Sequence, residues 1–221
     1  TDGASAGGYT GSTSATASSG GYTGSTSATA SSGGDITVDE AKLIQNITNY
    51  NASSSDYDIK DSSSAVISAQ DEVLTNGGIE VEVTNNVGAS DGAILNAFTA
   101  DIDFTVEDSA QNIADQVNGT NGSVGSLDDA EKIIVDTGAA IDATDAAAIQ
   151  QISNYDGISS NYDIEDTAAA LISAGDSVLN VSGVANVTVD SPETGTNVNA
   201  ADGAALSAFT ADVGFDPCLL T

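Results

Sequence analysis

The sequence predicts an α/β repeat fold, with short parallel strands alternating with short Ala-rich helices in a solenoid of about seven or eight coils. Three observations predict it. The body of the chain is duplicated: Asn46–Leu74 aligns without gaps to Gln151–Leu179, with 16 of 29 positions identical, and DGAILNAFTADIDF (Asp91–Phe104) matches DGAALSAFTADVGF (Asp202–Phe215). Within each copy a shorter rhythm runs: an alternating strand, an Asp or Ser-Asp, then an Ala-rich segment with apolar residues at helical spacing. The apolar material, 40% of 221 residues, is almost all small aliphatic, with four Phe and six Tyr. Such residues suit many thin layers better than one thick core.

Residues 1–34 come first and stand apart. The 13-mer GGYTGSTSATASS occurs twice without change, at Gly7–Ser19 and Gly20–Ser32. Gly, Ser, Thr and Ala cannot build a core and read as flexible linker, although the duplication also permits a regular extended packing against a neighbour. Solenoid module 1 follows over 35–117, a joint over 118–132 and solenoid module 2 over 133–221. The joint is placed by NGTNGSVGS (Asn118–Ser126), a turn-rich stretch that interrupts the rhythm. Strand starts are expected near residues 36, 57, 80, 102, 133, 162, 187 and 212. YDIKD precedes SSSAVISAQDEVL, FTVED precedes SAQNIADQV, and YDIED precedes TAAALISAGDSVL; each second member has one apolar face. An all-β parallel helix is the alternative. Ala, Gln and Glu are good helix formers and poor strand formers, which favours the mixed form. The copies differ by an insertion near Pro192–Asn197.

Charge narrows the chemistry. There are 33 acidic residues against three lysines (Lys42, Lys60, Lys132), no Arg and no His, for a net charge of −30. Phosphate clamps, imidazole bases and His-ligated metals are therefore missing, and nucleic acid is repelled. No apolar run reaches the length of a membrane span, so no membrane insertion is expected. The chain opens at Thr1 without Met, which reads as a removed leader or a piece of something longer.

The recurring acids are the candidate functional residues. Asp58, Asp61, Asp101, Asp103, Asp163 and Asp166 have the oxygen density that calcium uses, and calcium is the one cofactor they suggest. No EF-hand loop or Gly-Gly-x-Gly-x-Asp array accompanies them. Asp61, Asp108 and Asp166 also stand just before predicted helices, where an N-capping role is expected. Six Asn-x-Ser/Thr sequons are close to the number that this composition gives by chance. Cys218 reads as a buried or intermolecularly bridged cysteine, since an acidic upstream sequence does not suit a lipid anchor. No catalytic residues are assigned. The Tyr50/Tyr57 and Tyr155/Tyr162 pairs recur with the module, as packing residues do.

YDIEDTAAALISA and FTVEDSAQNIAD resemble a repeat of large acidic surface or secreted proteins of bacteria, cyanobacteria in particular. In those, strands ending V-x-D-T-A-A-N-[IL] alternate with Ala-rich segments. The resemblance covers about residues 36–215 and implies a structural or adhesive role with no catalytic residues. The expectation is a non-enzymatic, self-assembling subunit or repeat segment of an extracellular surface layer, filament or adhesin, whose partners are copies of itself. Alternatives are a cell-surface module binding glycan or ice, and a carboxylate-pair glycosidase.

Overall fold

The computed structural model describes residues 35–55, 57–76, 80–119, 127–190 and 198–214, together with the backbone of 13–18 and 27–32. The insertion at 192–197, Asn121, Cys218 and most of the joint, 120–126, lie outside the described residues. The chain is mixed α/β, and its body strands pair in parallel within small sheets. The Ala-rich segments are helices, so the all-β alternative is set aside.

The elements run in order as β1 (Thr13–Ser18), β2 (Ser27–Ser32), α1 (Val38–Gln45), β3 (Ile59–Asp61), α2 (Ser63–Ser68), α3 (Asp71–Thr75), β4 (Val81–Val83), α4 (Ala89–Leu95), β5 (Ile102–Asp103), β6 (Thr105–Ser109) and α5 (Ala110–Asn118). There follow β7 (Lys132–Asp136), α6 (Ala143–Gln150), β8 (Tyr162–Asp166), α7 (Ala168–Ala174), α8 (Asp176–Leu179), β9 (Val184–Val189), α9 (Ala200–Leu206) and β10 (Val213–Gly214). They divide between two compact units. One takes the described residues of 1–85 and 98–103, the other those of 86–97 and 104–221.

In the first unit β1 and β2 pair antiparallel, and β3, β4 and β5 form a parallel sheet. Ile36 bridges to Ile59, so Ile36, Ile59, Val81 and Ile102 make one row across the sheet. All four are buried, beside Val38, Ala41, Tyr57, Val66 and Leu74. In the second unit two such rows form. One is Val87, Val106, Ile133 and Tyr155; the other is Ile141, Ile164, Val187 and Val213. β6 and β7 pair over five residues from Thr105↔Lys132 to Ser109↔Asp136, so the stretch between α5 and β7 does not interrupt strand pairing. β-branched residues dominate these rows because a pleated surface buried between strand and helix favours them.

The rows expose a unit of repetition longer than one strand and one helix. Ile36, Val87, Ile141 and Val198 head four stretches, 51, 54 and 57 residues apart. Each begins with a row residue or its equivalent, a helix cap one position on (Thr37, Gly88, Asp142, Asn199), and then a helix of seven or eight residues. In the first three stretches a second strand and second helix follow; the fourth is described as far as β10. The 105-residue duplication spans two such pairs.

Two segments expected as single helices are broken. α2 gives way to α3 at Ala69–Gln70, where Ala69 is extended (ψ 158°), and α7 gives way to α8 at Gly175, whose φ of +67° leaves the helical region. The break lets Leu74 and Leu179 be fully buried.

The fourth helical position of each pair is small and buried: Ala41, Gly92, Ala146, Gly203. At Gly92 a Cβ would sit 2.8 Å from Val106 Cγ2 and 3.2 Å from Leu127 Cδ2. Gly92→Ala is expected to destabilise the protein. Overpacking costs about 1–3 kcal/mol, against a helix-propensity gain of about 1 kcal/mol. A urea midpoint that rises in the variant would contradict this packing.

Candidate functional site

The first helix of each pair begins with backbone N–H groups that have no partner inside the helix. In three pairs one of them is met from a following strand, β3, β6 or β8. Val38 N–H donates to Asp61 Oδ2 at 3.0 Å, Ala89 N–H to Asp108 Oδ2 at 2.9 Å, and Ala143 N–H to Asp166 Oδ2 at 3.1 Å. The other oxygen of the same carboxylate accepts the N–H of the residue that opens the second helix. Ser62, Ser109 and Thr167 each donate to Oδ1 at 2.7 Å.

This corrects the N-capping assignment of Asp61, Asp108 and Asp166. The caps are Ser62, Ser109 and Thr167, and the last two accept from Asn112 N–H and Ala170 N–H. The Asp stands one residue earlier, at the strand end, and ties two helix starts together. Strand geometry brings it there, because the strand that carries it pairs with the residue preceding the cap of the first helix. Asn85 does a similar task, accepting from Ser63 N–H at 2.9 Å and donating to Ser63 Oγ.

A second set of carboxylates anchors loops. Asp71 accepts from Thr99 N–H and Oγ1–H, and Asp176, its equivalent, from Thr210 N–H and Ala211 N–H. Gln45 and Gln150 were not singled out in the sequence. Each donates through Nε2 to a tyrosine hydroxyl (Tyr57, Tyr162; 2.8 Å in both) and to a backbone carbonyl (Val73, Val178). Their signal was the shared offset of 105, which lies one residue outside the matched segment. Tyr50 donates to the Tyr57 hydroxyl, and Tyr155 donates to Ser182 C=O. Burial pushes the Tyr57 and Tyr155 phenols well above their ordinary range.

The six aspartates expected as calcium ligands fall in different surroundings. Asp61 and Asp166 bind helix N–H groups, and Asp163 accepts from Asn186 Nδ2 at 2.7 Å. Asp58, Asp101 and Asp103 gather around Glu80 on the β3–β4–β5 sheet. Glu80 N–H donates to Asp58 Oδ1, and the Glu80 carboxyl is held above its ordinary range by Asp103 first, then Asp58, slight desolvation and a hydrogen bond with Asp103. In the second copy Asn186 stands at the Glu80 position and Gly214 at the Asp103 position, so like charges give way there to an Asn–Asp hydrogen bond. Among the described residues no group of three or more His, Cys, Asp or Glu is placed to hold a metal ion. Each lysine is paired with an acid: Lys42 with Asp39, Lys60 with Glu82 across the strand pair, and Lys132 with Asp156.

The first unit also carries an open groove of about 530 Å³ against α1 and α3, lined by side chains that include Lys42, Asn46, Gln70, Glu72 and Asn76. At the equivalents of Lys42, Gln70, Glu72 and Asn76 the second copy has Ala147, Gly175, Ser177 and Val181. The supporting Gln45, Tyr57 and Val73 recur as Gln150, Tyr162 and Val178. The frame is kept while the polar lining differs. Amides with one acid and one amine offer hydrogen bonds to a neutral, polyhydroxylated ligand.

Comparison with family models, with curated proteins and with solved structures finds no match for this chain.

Asp166→Ala is expected to cost roughly 2–3 kcal/mol, since two charge-assisted hydrogen bonds are lost and a helix start is left open. Asp166→Asn, which keeps an acceptor as Asn85 does, should cost roughly half as much. Equal chemical-denaturation midpoints for wild type and both variants would show that the bridge contributes nothing.

Acid dependence carries two opposite signs. Thr210 N–H, followed by Ala211 N–H and the Thr210 hydroxyl, holds Asp176 below its ordinary range. Its contribution is full above the unfolded pKa and is lost as pH falls through the folded value. Glu80 is raised, so its contribution is full below the unfolded pKa and is lost as pH rises through the folded one. Glu80→Gln should therefore flatten the gain in stability on acidification towards about pH 4.3, while Asp176→Asn should flatten the loss below about pH 4. Urea midpoints against pH read both.

Proposed function

We propose that this chain is a non-enzymatic structural segment, an α/β solenoid that assembles with copies of itself in an extracellular surface layer, filament or adhesin. The observation that carries this assignment is the Asp bridge. The most repeated polar chemistry among the described residues is spent inside each repeat, on tying its two helix starts together, as a structural segment requires. No helix among the described residues is long and apolar enough to cross a membrane.

Assembly of this kind works against charge. With −30 charges and three lysines already paired, copies repel one another unless cations screen them. The Debye length is roughly 30 Å at about 0.01 M ionic strength and about 3 Å at about 1 M, so the repulsion is a matter of salt. Calcium at the Glu80 cluster would act locally; sodium would act everywhere.

Electron microscopy of the purified chain in low salt, in NaCl and in calcium at matched ionic strength tests this. Filaments or sheets are expected once salt is added. Assembly in NaCl alone would confine calcium to screening, and assembly reversed by EDTA would give it a specific role. A monomer under all three conditions would overturn the proposal.

The groove against α1 and α3 favours a second assignment, a glycan-binding surface module. It requires saccharide binding that Glu72→Gln and Asn76→Ala each weaken.

A further inference from the structure

The duplicated 13-mers pair with one another in a particular way. Within each copy the segment Ser-Ala-Thr-Ala-Ser, Ser14–Ser18 and Ser27–Ser31, reads the same in both directions. β1 and β2 run antiparallel, with Ser14↔Ser31, Ala15↔Ala30, Thr16↔Thr29, Ala17↔Ala28 and Ser18↔Ser27. Every one of these positions therefore faces its own residue type. An antiparallel pairing of a palindrome with its copy has two-fold symmetry, and the same pairs form whether the two strands belong to one chain or to two.

We propose that the β1–β2 ribbon is a homotypic strand-addition element through which one copy of this chain pairs with another. The ribbon is a two-stranded sheet. An isolated two-stranded ribbon is marginal in water, and its outer edges are templates for further strands. A strand from a second copy brings the identical palindrome, so it adds in the register already seen. An unrelated strand has no such match. A short connection between β1 and β2 gives an effective concentration of about millimolar, so pairing within one chain dominates in dilute solution. Pairing between chains gains ground where copies are crowded. The partner, a second copy, rests on the self-assembly assignment; the register does not.

The register supplies the test. A chain lacking Gly20–Ser32 keeps one palindrome and can satisfy it only with another molecule. In that two-fold pairing residue 16 lies opposite residue 16 of the other copy, and 14 lies opposite 18. Residues 14 and 14 of two copies are four positions apart, about 13 Å along the strands, beyond the roughly 7 Å Cα separation that a disulfide spans. In the Cys218→Ala background, Thr16→Cys is expected to give at least about tenfold more disulfide-linked dimer than Ser14→Cys. An equimolar mixture of Ser14→Cys and Ser18→Cys chains should restore the yield. Equal yields from Thr16→Cys and Ser14→Cys, or no dimer from Thr16→Cys at about millimolar chain, would overturn the proposal. So would a Thr16→Cys dimer that survives Ala15→Pro. Microscopy of the full-length chain separates the two assignments. Filaments without the cysteine pattern leave self-assembly standing and remove the ribbon; the cysteine pattern without filaments does the reverse.

Discussion

A single carboxylate shared between two helix starts is the interaction on which the rest of this fold depends. Asp61, Asp108 and Asp166 each accept one N–H from the helix behind them and one from the residue that opens the helix ahead. A side chain can do both only if the strand that carries it runs parallel to, and in register with, the residue before the cap of the first helix. The bridge and the isoleucine–valine rows therefore specify one another. Shift the register by one residue and the carboxylate turns to the other face of the sheet. Burial supplies the driving force, while the aspartate selects one register among those that burial would accept.

The acidity of the chain follows from the same geometry. Its described α-helices are four to nine residues long, so a large share of helical residues lies in a first turn, where the macrodipole favours negative charge. Asp39 and Glu40, Asp71 and Glu72, Asp91, Asp145, Asp176 and Asp202 all occupy first turns, and only α1 has a basic residue in its last. Many short helices create many places for an acid and few for a lysine. Part of the net charge is thus structural demand. The remainder, such as the Glu80, Asp58, Asp101 and Asp103 cluster, has no helix start to serve and is where repulsion collects.

Much of the fold was legible because its signals are local. YDIKD, FTVED and YDIED alternate as strands do, and the Ala-rich segments after them carry helical spacing. The strand–helix order and the duplication came from those patterns. What was not legible was long-range. Nothing near Asp61 in the sequence shows that Val38, 23 residues earlier, supplies its partner, so the residue read as an ordinary cap of the following helix. Gln45 and Gln150 escaped for a similar reason: an amide on a helix is unremarked until a buried tyrosine from the next strand meets it. The helix breaks at Ala69 and Gly175 needed the burial of Leu74 and Leu179 to explain them. The calcium assignment relied on oxygen density. Density in sequence does not say how the fold distributes the side chains: Asp58, Asp101 and Asp103 gather around Glu80, Asp61 and Asp166 serve helix starts, and Asp163 pairs with Asn186.

The pairing of helices through one aspartate also sets how such a chain can lengthen or shorten over evolutionary time. Removing one strand and one helix would strand either a helix start without its carboxylate or a carboxylate without its helix. Removing two together leaves every bridge intact. The smallest genetic insertion or deletion that preserves the architecture is therefore the two-helix block of about 50–57 residues, and unequal recombination should leave tandem copies in multiples of it. The 105-residue duplication is two such blocks, the step size that this rule allows.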